Sequence, residues 1–365
     1  MILRAKTNNL IQTRELSLRQ KANTDLNKKE MEAGELVLES KPQRLVFEMT
    51  NSCNLSCVMC GRNARNFKPV FFNKEWLLKF NSMADFVEEV TLMGWGEPTM
   101  HMDFCDFLKW ANTYGIRKYF CTNGMKLGEL MPAIFGEKID VIAVSIDGAT
   151  KEKNDKIRQG ADFDRIIAGL KAIVNEKKRQ GTAFPYMNFV TTLMKSNLYE
   201  FPEIVQLAAD IGLEEAKCVF LTVFENEMID ESLYDSMDEV EGVFNEAREI
   251  AEKTGISIKL PHLSGKDPAG DSSHKSCRML WRDFFLGSDG YVRPCMSTPI
   301  KLFHIDKYET FEEMWNSHEM VNFRKIVNNE EDMPNPCKNC YQSSFANWNK
   351  KSSFYQIGND FSPEW

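Results

Sequence analysis

The chain has 365 residues, 43% of them hydrophobic and 27% charged, with a formal net charge of −8. That length suits one large folded unit with a smaller one beside it, and the composition supplies ample core. The acidic balance argues against a nucleic-acid binder, and no run of about 18 apolar residues offers a membrane span.

Arg4, Lys6, Arg14, Arg19 and Lys21 stand among polar residues rather than before the apolar run of a secretory signal. A cytoplasmic, reducing setting is therefore expected. There the ten cysteines read as metal ligands or catalytic groups rather than as disulfides. Residues 1–42 form a polar N-terminal extension, expected to be partly helical. Its Leu10, Leu16, Leu18 and Leu26 are too irregularly placed to mark a core face.

Six short apolar segments follow, at 45–49, 87–93, 118–121, 141–146, 187–193 and 216–221, rich in branched and aromatic residues as buried parallel strands are. Helical-period segments separate them, such as 163–176 with Ile166, Ile167, Leu170 and Ile173 on one side. Six strand–helix units in series predict an α/β fold with a parallel sheet and right-handed crossovers, open barrel or doubly wound, over residues 43–255. Beyond Gly255 the character changes. Residues 284–292 read as a hairpin turning at Asp289-Gly290, 310–327 as helix, and 346–365 as a tail with little pattern.

The segment Asn51-Ser52-Cys53-Asn54-Leu55-Ser56-Cys57-Val58-Met59-Cys60 follows the first strand directly. Its spacing lets thiolates reach different irons of a cubane, and three thiolates where four are usual leave one iron open. The alternative is a zinc site, but none of His101, His262, His274, His304 and His318 lies near in sequence. Cys277 and Cys295 flank the hairpin, and Cys337-Lys338-Asn339-Cys340 adds a CxxC. By spacing alone, a four-cysteine zinc ribbon fits this second group as well as a cluster does.

The CxxxCxxC loop after a first strand resembles the signature of the radical S-adenosylmethionine (SAM) superfamily. The resemblance implies a partial (β/α)6 barrel, with SAM chelated to the open iron of a [4Fe–4S] cluster on Cys53, Cys57 and Cys60. Met59 stands where the family often has an aromatic residue, and it can still cover the adenine face. Gly94-Trp95-Gly96-Glu97-Pro98 resembles the family's GGEP motif, with Trp95 for the second glycine. Its backbone would bond the methionyl amino group, with Glu97 nearby. Asn123 ends the third strand. Ser145-Ile146-Asp147-Gly148 resembles the segment that contacts ribose and carboxylate, and Arg158 matches an arginine that pairs with the methionyl carboxylate. All are expected at strand C-terminal ends, where parallel barrels keep their active sites.

The second cysteine group, within residues 256–345, resembles the SPASM extension in its shortened twitch form. That implies a small β-hairpin/helix domain holding one auxiliary [4Fe–4S] cluster on Cys277, Cys295, Cys337 and Cys340, with electron acceptance as its task. The resemblance therefore implies a radical SAM oxidoreductase fed by a flavodoxin- or ferredoxin-type donor, with no nucleic-acid or membrane partner. It would oxidatively modify a sugar-like or aminocyclitol small molecule or a peptide. The cysteine layout is similar to that of an aminocyclitol dehydrogenase of the family, which favours the small polar substrate. One alternative is redox-neutral epimerisation, with Cys218 on the sixth strand as hydrogen donor if it faces the barrel interior; a lone strand cysteine is otherwise inert core. A non-catalytic metal-binding scaffold is the other.

Overall fold

The structure, a computed structural model, describes residues 15–63, 68–263, 277–295, 298–338, 340 and 351–357. The first fourteen residues of the expected extension, and most of the expected tail, lie outside the described residues. Strands β1 (Arg44–Phe47), β2 (Glu89–Leu92), β3 (Arg117–Thr122), β4 (Val141–Ser145), β5 (Tyr186–Leu193), β6 (Glu215–Phe220) and β7 (Ser257–Lys259) pair in parallel and in chain order. The six expected strands are all present, their ends shifted by two residues at most.

β8 (Asp283–Leu286) turns back into the antiparallel β9 (Tyr291–Arg293), and β10 (Phe303–His304) pairs with β9. β8 lies parallel to β1, with Arg44 opposite Asp283 and Phe47 opposite Leu286. One ten-stranded sheet results, in the order β10-β9-β8-β1-β2-β3-β4-β5-β6-β7. The hairpin expected in a separate small domain therefore extends the barrel sheet from its β1 edge. The expected boundary at 255/256 likewise falls just before β7, which pairs with β6. The physical reason is edge pairing: β8 is buried along its whole length and satisfies backbone groups that β1 would otherwise leave open.

Helices α1 (Leu18–Ala33), α2 (Phe104–Thr113), α3 (Leu127–Gly136), α4 (Lys151–Ile157), α5 (Phe163–Gln180), α6 (Phe201–Ile211) and α7 (Met237–Thr254) pack around this sheet. α5 shows the usual logic. The Asp162 side chain accepts from the Arg165 N–H to start it, Gly181 at φ 64° stops it, and Ile166, Leu170 and Ile173 bury one face. Burying each such side chain contributes about 1.5–3 kcal/mol.

α1 does the opposite and buries a polar stripe. Gln20 donates to the Val87 carbonyl at 2.7 Å, Asn23 to the Lys41 carbonyl at 3.0 Å and Asn27 to the Trp281 carbonyl at 2.7 Å, while Leu18 is exposed. Its two leucines, Leu18 and Leu26, are exposed and do not form its packing face.

Alternation along the strands divides the sheet into two surfaces. Leu45, Phe47, Val90, Leu92, Phe120 and Ile142 join the helix-facing core. The residues between them, including Val46, Tyr119, Cys121 and Ala143, face the barrel lumen. A buried ion pair lies on that face at the β1–β8 seam, with Arg44 Nε 3.1 Å from Asp283 Oδ1 and Nη2 2.5 Å from Oδ2. Part of the expected tail returns to the sheet: the Val223 N–H donates to the Phe354 carbonyl (2.8 Å) and the Gln356 N–H to the Val223 carbonyl (2.9 Å). Among the described residues no helix is long and apolar enough to cross a membrane.

Candidate functional site

The three-cysteine loop leaves β1 at the C-terminal rim of the sheet and is tied there by backbone. Ser56 N–H donates to the Gln159 carbonyl and Val58 N–H to the Ile157 carbonyl, both at 2.9 Å. From the β2 end, Gly96 N–H donates to the Thr50 carbonyl at 3.1 Å and Glu97 N–H to the Ser52 carbonyl at 2.8 Å. Glycine is required at 96, because a Cβ there would stand 2.2 Å from the Ser52 oxygen and 2.5 Å from the Thr50 oxygen. Neighbouring strand and helix ends thus frame the loop, which adds a turn of its own from the Cys60 N–H to the Cys57 carbonyl at 3.1 Å.

The Asn123 and Arg158 side chains reach the sulfurs. Asn123 at the end of β3 bonds Asn54 Oδ1 at 2.8 Å and places its Nδ2 3.9 Å from Cys53 Sγ. Arg158, just past α4, places Nη1 3.8 Å from Cys57 Sγ. Burial pushes the Cys57 thiol up to about 11, against the opposing pull of Arg158, and raises Cys53 as well. Such thiols hold their protons at neutral pH until a metal displaces them.

The carboxylates expected to touch the cofactor are turned inward. Glu97 accepts from Thr99 Oγ1 (2.6 Å) and Thr122 Oγ1 (2.8 Å) on one oxygen and from the Asn123 N–H (2.7 Å) on the other. These bonds tie the ends of β2 and β3 together. Asp147 is wholly buried, accepts from the Thr192 N–H at 2.7 Å and pairs with Arg158 Nε at 2.8 Å. The Arg158 charge expected to meet a ligand carboxylate is therefore already paired with Asp147, which leaves its Nη1 toward Cys57. Burial raises the Asp147 carboxyl despite Arg158 and the Thr192 bond.

Gly94 and Trp95 sit against Glu48. The Trp95 N–H donates to Glu48 Oε1 at 2.9 Å, and the Trp95 ring lies edge-on to Phe224 at 6.0 Å between centroids. Met59 packs with Ile157, Leu221, Val223 and Tyr355. Ser145 Oγ is 3.8 Å from Cys121 Sγ.

Cys218 does not face the interior. It is 0% exposed, lies in the helix-facing core with Ala216 and Phe220, and burial pushes its thiol far up. The cysteine on the lumen side is Cys121, which spacing alone gave no reason to select. The signal was in the alternation: Glu215 and Lys217 take one face of β6 and Ala216, Cys218 and Phe220 the other.

The second group lies on the opposite rim. Cys277 precedes β8, and β9 runs antiparallel to β8, so Cys295 returns to the end at which β8 begins. Cys277 is pinned by two reciprocal bonds, its N–H to Asn328 Oδ1 (2.7 Å) and Asn328 Nδ2 to its carbonyl (3.0 Å). Burial pushes the Cys337 thiol up to about 12, and Cys277 and Cys340 lie near enough to add to that rise. Among the described residues no three His, Cys, Asp or Glu side chains gather as ligands of one metal ion. Thiols on different irons of a cubane are not required to do so. The donor sets, three thiols beside a glycine cradle and four on the far rim, fit the two clusters expected from sequence.

Comparison with known proteins agrees. Residues 47–208 match the Radical SAM superfamily and residues 277–341 the SPASM iron–sulfur cluster-binding domain. The chain is 26% identical over 319 residues to the AdoMet-dependent heme synthase of Methanosarcina barkeri, covering 81% of this chain and 88% of that protein. It is 31% identical to the Fe-coproporphyrin III synthase of the same organism, over 59% of this chain and 54% of that one. In fold it resembles Streptococcus suis SuiB bound to S-adenosylmethionine, with a TM-score of 0.62 and 17% identity over 84% of this chain and 72% of that one. It also resembles anSMEcpe with bound AdoMet, with a TM-score of 0.59 and 18% identity over 84% and 89%.

Proposed function

Because the chain belongs to the radical SAM superfamily and carries its SPASM extension, we propose that it oxidatively modifies an organic substrate held in the barrel lumen. When bound, SAM and the first cluster supply a 5′-deoxyadenosyl radical that removes a hydrogen atom from an unactivated carbon, and the second cluster supplies an acceptor for the electron left behind. The observation that carries this reading is the placement of the two cysteine groups on opposite rims of one sheet, with the lumen between them.

Cys53, Cys57 and Cys60 would hold the first cluster, and Cys277, Cys295, Cys337 and Cys340 the second. Asn123 and Arg158 orient the first group, Gly96 lets its loop approach β2, and the Arg44–Asp283 pair belongs to the lumen wall at the far end of the strands. Electrons for each turnover would come from a flavodoxin- or ferredoxin-type donor. The sequence favours a sugar-like or aminocyclitol alcohol or a peptide as substrate. Relatives named for haem and Fe-coproporphyrin III synthesis add tetrapyrroles to that range.

Cys121 gives a second reading specific support. A thiol on the lumen wall 3.8 Å from Ser145 is placed to return a hydrogen atom in a redox-neutral epimerisation, the task expected of Cys218. Turnover of anaerobically reconstituted enzyme in heavy water separates the two. Oxidation yields a two-electron product without solvent deuterium; deuterium at the reacting carbon would replace that reading with epimerisation. Failure of dithionite-reduced protein to form 5′-deoxyadenosine would overturn both.

A further inference from the structure

Glu48 follows β1 directly and is 0% exposed, yet it belongs to neither cysteine group. Its Oε1 accepts from the Trp95 N–H at 2.9 Å, and its Oε2 accepts from Ser288 twice, from the N–H at 3.2 Å and from Oγ at 2.9 Å. All three groups donate, and an ionised carboxylate accepts at both ends. Burial raises its carboxyl, while the Trp95 bond, the Arg293 charge and Ser288 oppose that rise.

The two ends of this bridge lie in different parts of the chain. Trp95 stands in Gly94-Trp95-Gly96-Glu97, the segment that bonds the cysteine loop through Gly96 and Glu97. A Cβ at Gly94 would stand 2.2 Å from Glu48 Cγ and 2.7 Å from Oε1, so the segment is seated directly on this side chain. Ser288 stands in the turn between β8 and β9. There the Gly287 N–H donates to the Tyr291 carbonyl and the Gly290 N–H to the Gly287 carbonyl, both at 3.0 Å. The turn thus closes on its own bonds, and its Ser288 N–H goes to Glu48.

Resting on the reading that the Gly94-Trp95-Gly96-Glu97 backbone receives the SAM amino group, we propose that Glu48 is a positioning residue for that site and that the β8–β9 hairpin sets it. In a trans peptide the N–H and the carbonyl point to opposite sides. Holding the Trp95 N–H on Glu48 therefore turns the Gly94 carbonyl away from this carboxylate, as an acceptor for the amino hydrogens. Ser288 fixes the carboxylate in turn. The hairpin that carries the second cysteine group thereby steadies the amino site beside the first.

The test is equilibrium dialysis of SAM, and of 5′-methylthioadenosine, which lacks the amino-acid end, against full-length, cluster-loaded protein without reductant. Glu48→Met raises the SAM dissociation constant about tenfold and leaves that of methylthioadenosine unchanged. Glu48→Gln recovers most of the loss, because its carbonyl still accepts from Trp95 while its amide donates to Ser288 Oγ. Ser288→Ala weakens SAM about threefold by itself and adds nothing beside Glu48→Met. Should Glu48→Met fail to load iron, Ser288→Ala decides alone, and its failure to weaken SAM selectively overturns the proposal. Equal weakening of both ligands overturns it too, since Glu48 would then act only on the fold. So does unchanged SAM binding in Glu48→Met, or a Ser288→Ala effect that persists without the carboxylate. Wild type that binds SAM no more tightly than methylthioadenosine would sink the reading of the segment as an amino-acid site, whatever the variants do. No radical forms in this assay. Absent 5′-deoxyadenosine from dithionite-reduced wild type would therefore sink the functional reading and leave the binding result standing.

Discussion

The two cysteine groups are built differently. The first spans the eight residues Cys53–Cys60 and is framed from outside: by carbonyls at Ile157 and Gln159, by N–H groups at Gly96 and Glu97, and by side chains at Asn123 and Arg158. The second is drawn from segments far apart in the chain and held by bonds across 51 residues, between Cys277 and Asn328, and by a local one, the Cys337 N–H to the Pro334 carbonyl. A site that must present an open iron at a fixed angle gains from an external frame. A site with all its ligands supplied by cysteine needs only to be gathered.

The largest test of that contrast removes one thiol from each group. Cys57→Ala should abolish SAM cleavage and lose about four of the roughly eight irons that two cubanes hold. Cys337→Ala should lose a similar share of iron yet retain dithionite-driven cleavage. Iron counting and chromatography of 5′-deoxyadenosine decide it, and loss of cleavage in both variants would erase the functional distinction.

Next in size is the frame's buried charge. Arg158→Met strands Asp147 in the interior and should cost about 3–5 kcal/mol in urea unfolding, since removing one partner of a buried pair leaves the other uncompensated. A loss below half of that would mean Asp147 relaxes toward Thr192 alone.

Gly96→Ala forces a methyl into the Ser52 and Thr50 carbonyls and should cost about 1–3 kcal/mol. It should lower iron at the first group only, which Mössbauer spectra of the reconstituted variant can apportion. The smallest expected effect is Asn328→Ala. Loss of the two Cys277 bonds should weaken iron retention at the second group by about 10–100-fold in a chelator challenge, with SAM cleavage unaltered. Equal iron loss at the first group would show that the two rims are coupled.

Much of the site was legible because its signals are local. Cysteine spacing, a strand ending at each motif, and the glycine that permits close approach all lie within a few residues of one another. Glu97 and Asp147 were found by motif, but their tasks were not. Whether a carboxylate meets a ligand or a neighbouring strand depends on Thr122 and Thr192, which follow 25 and 45 residues later.

By itself the sequence determined the strands, the helices that cover them and the two cysteine sets, because periodicity and spacing are properties of adjacent residues. The fold alone decided that α1 docks through polar groups, one of them bonded across 254 residues to Trp281, and that β8 closes on β1. It also decided that Cys121 and not Cys218 faces the lumen, and that the cysteine groups occupy opposite rims. Each of these is a choice between partners distant in the chain. It is settled by which buried hydrogen bonds and strand edges can be satisfied together, and no local stretch of sequence encodes that.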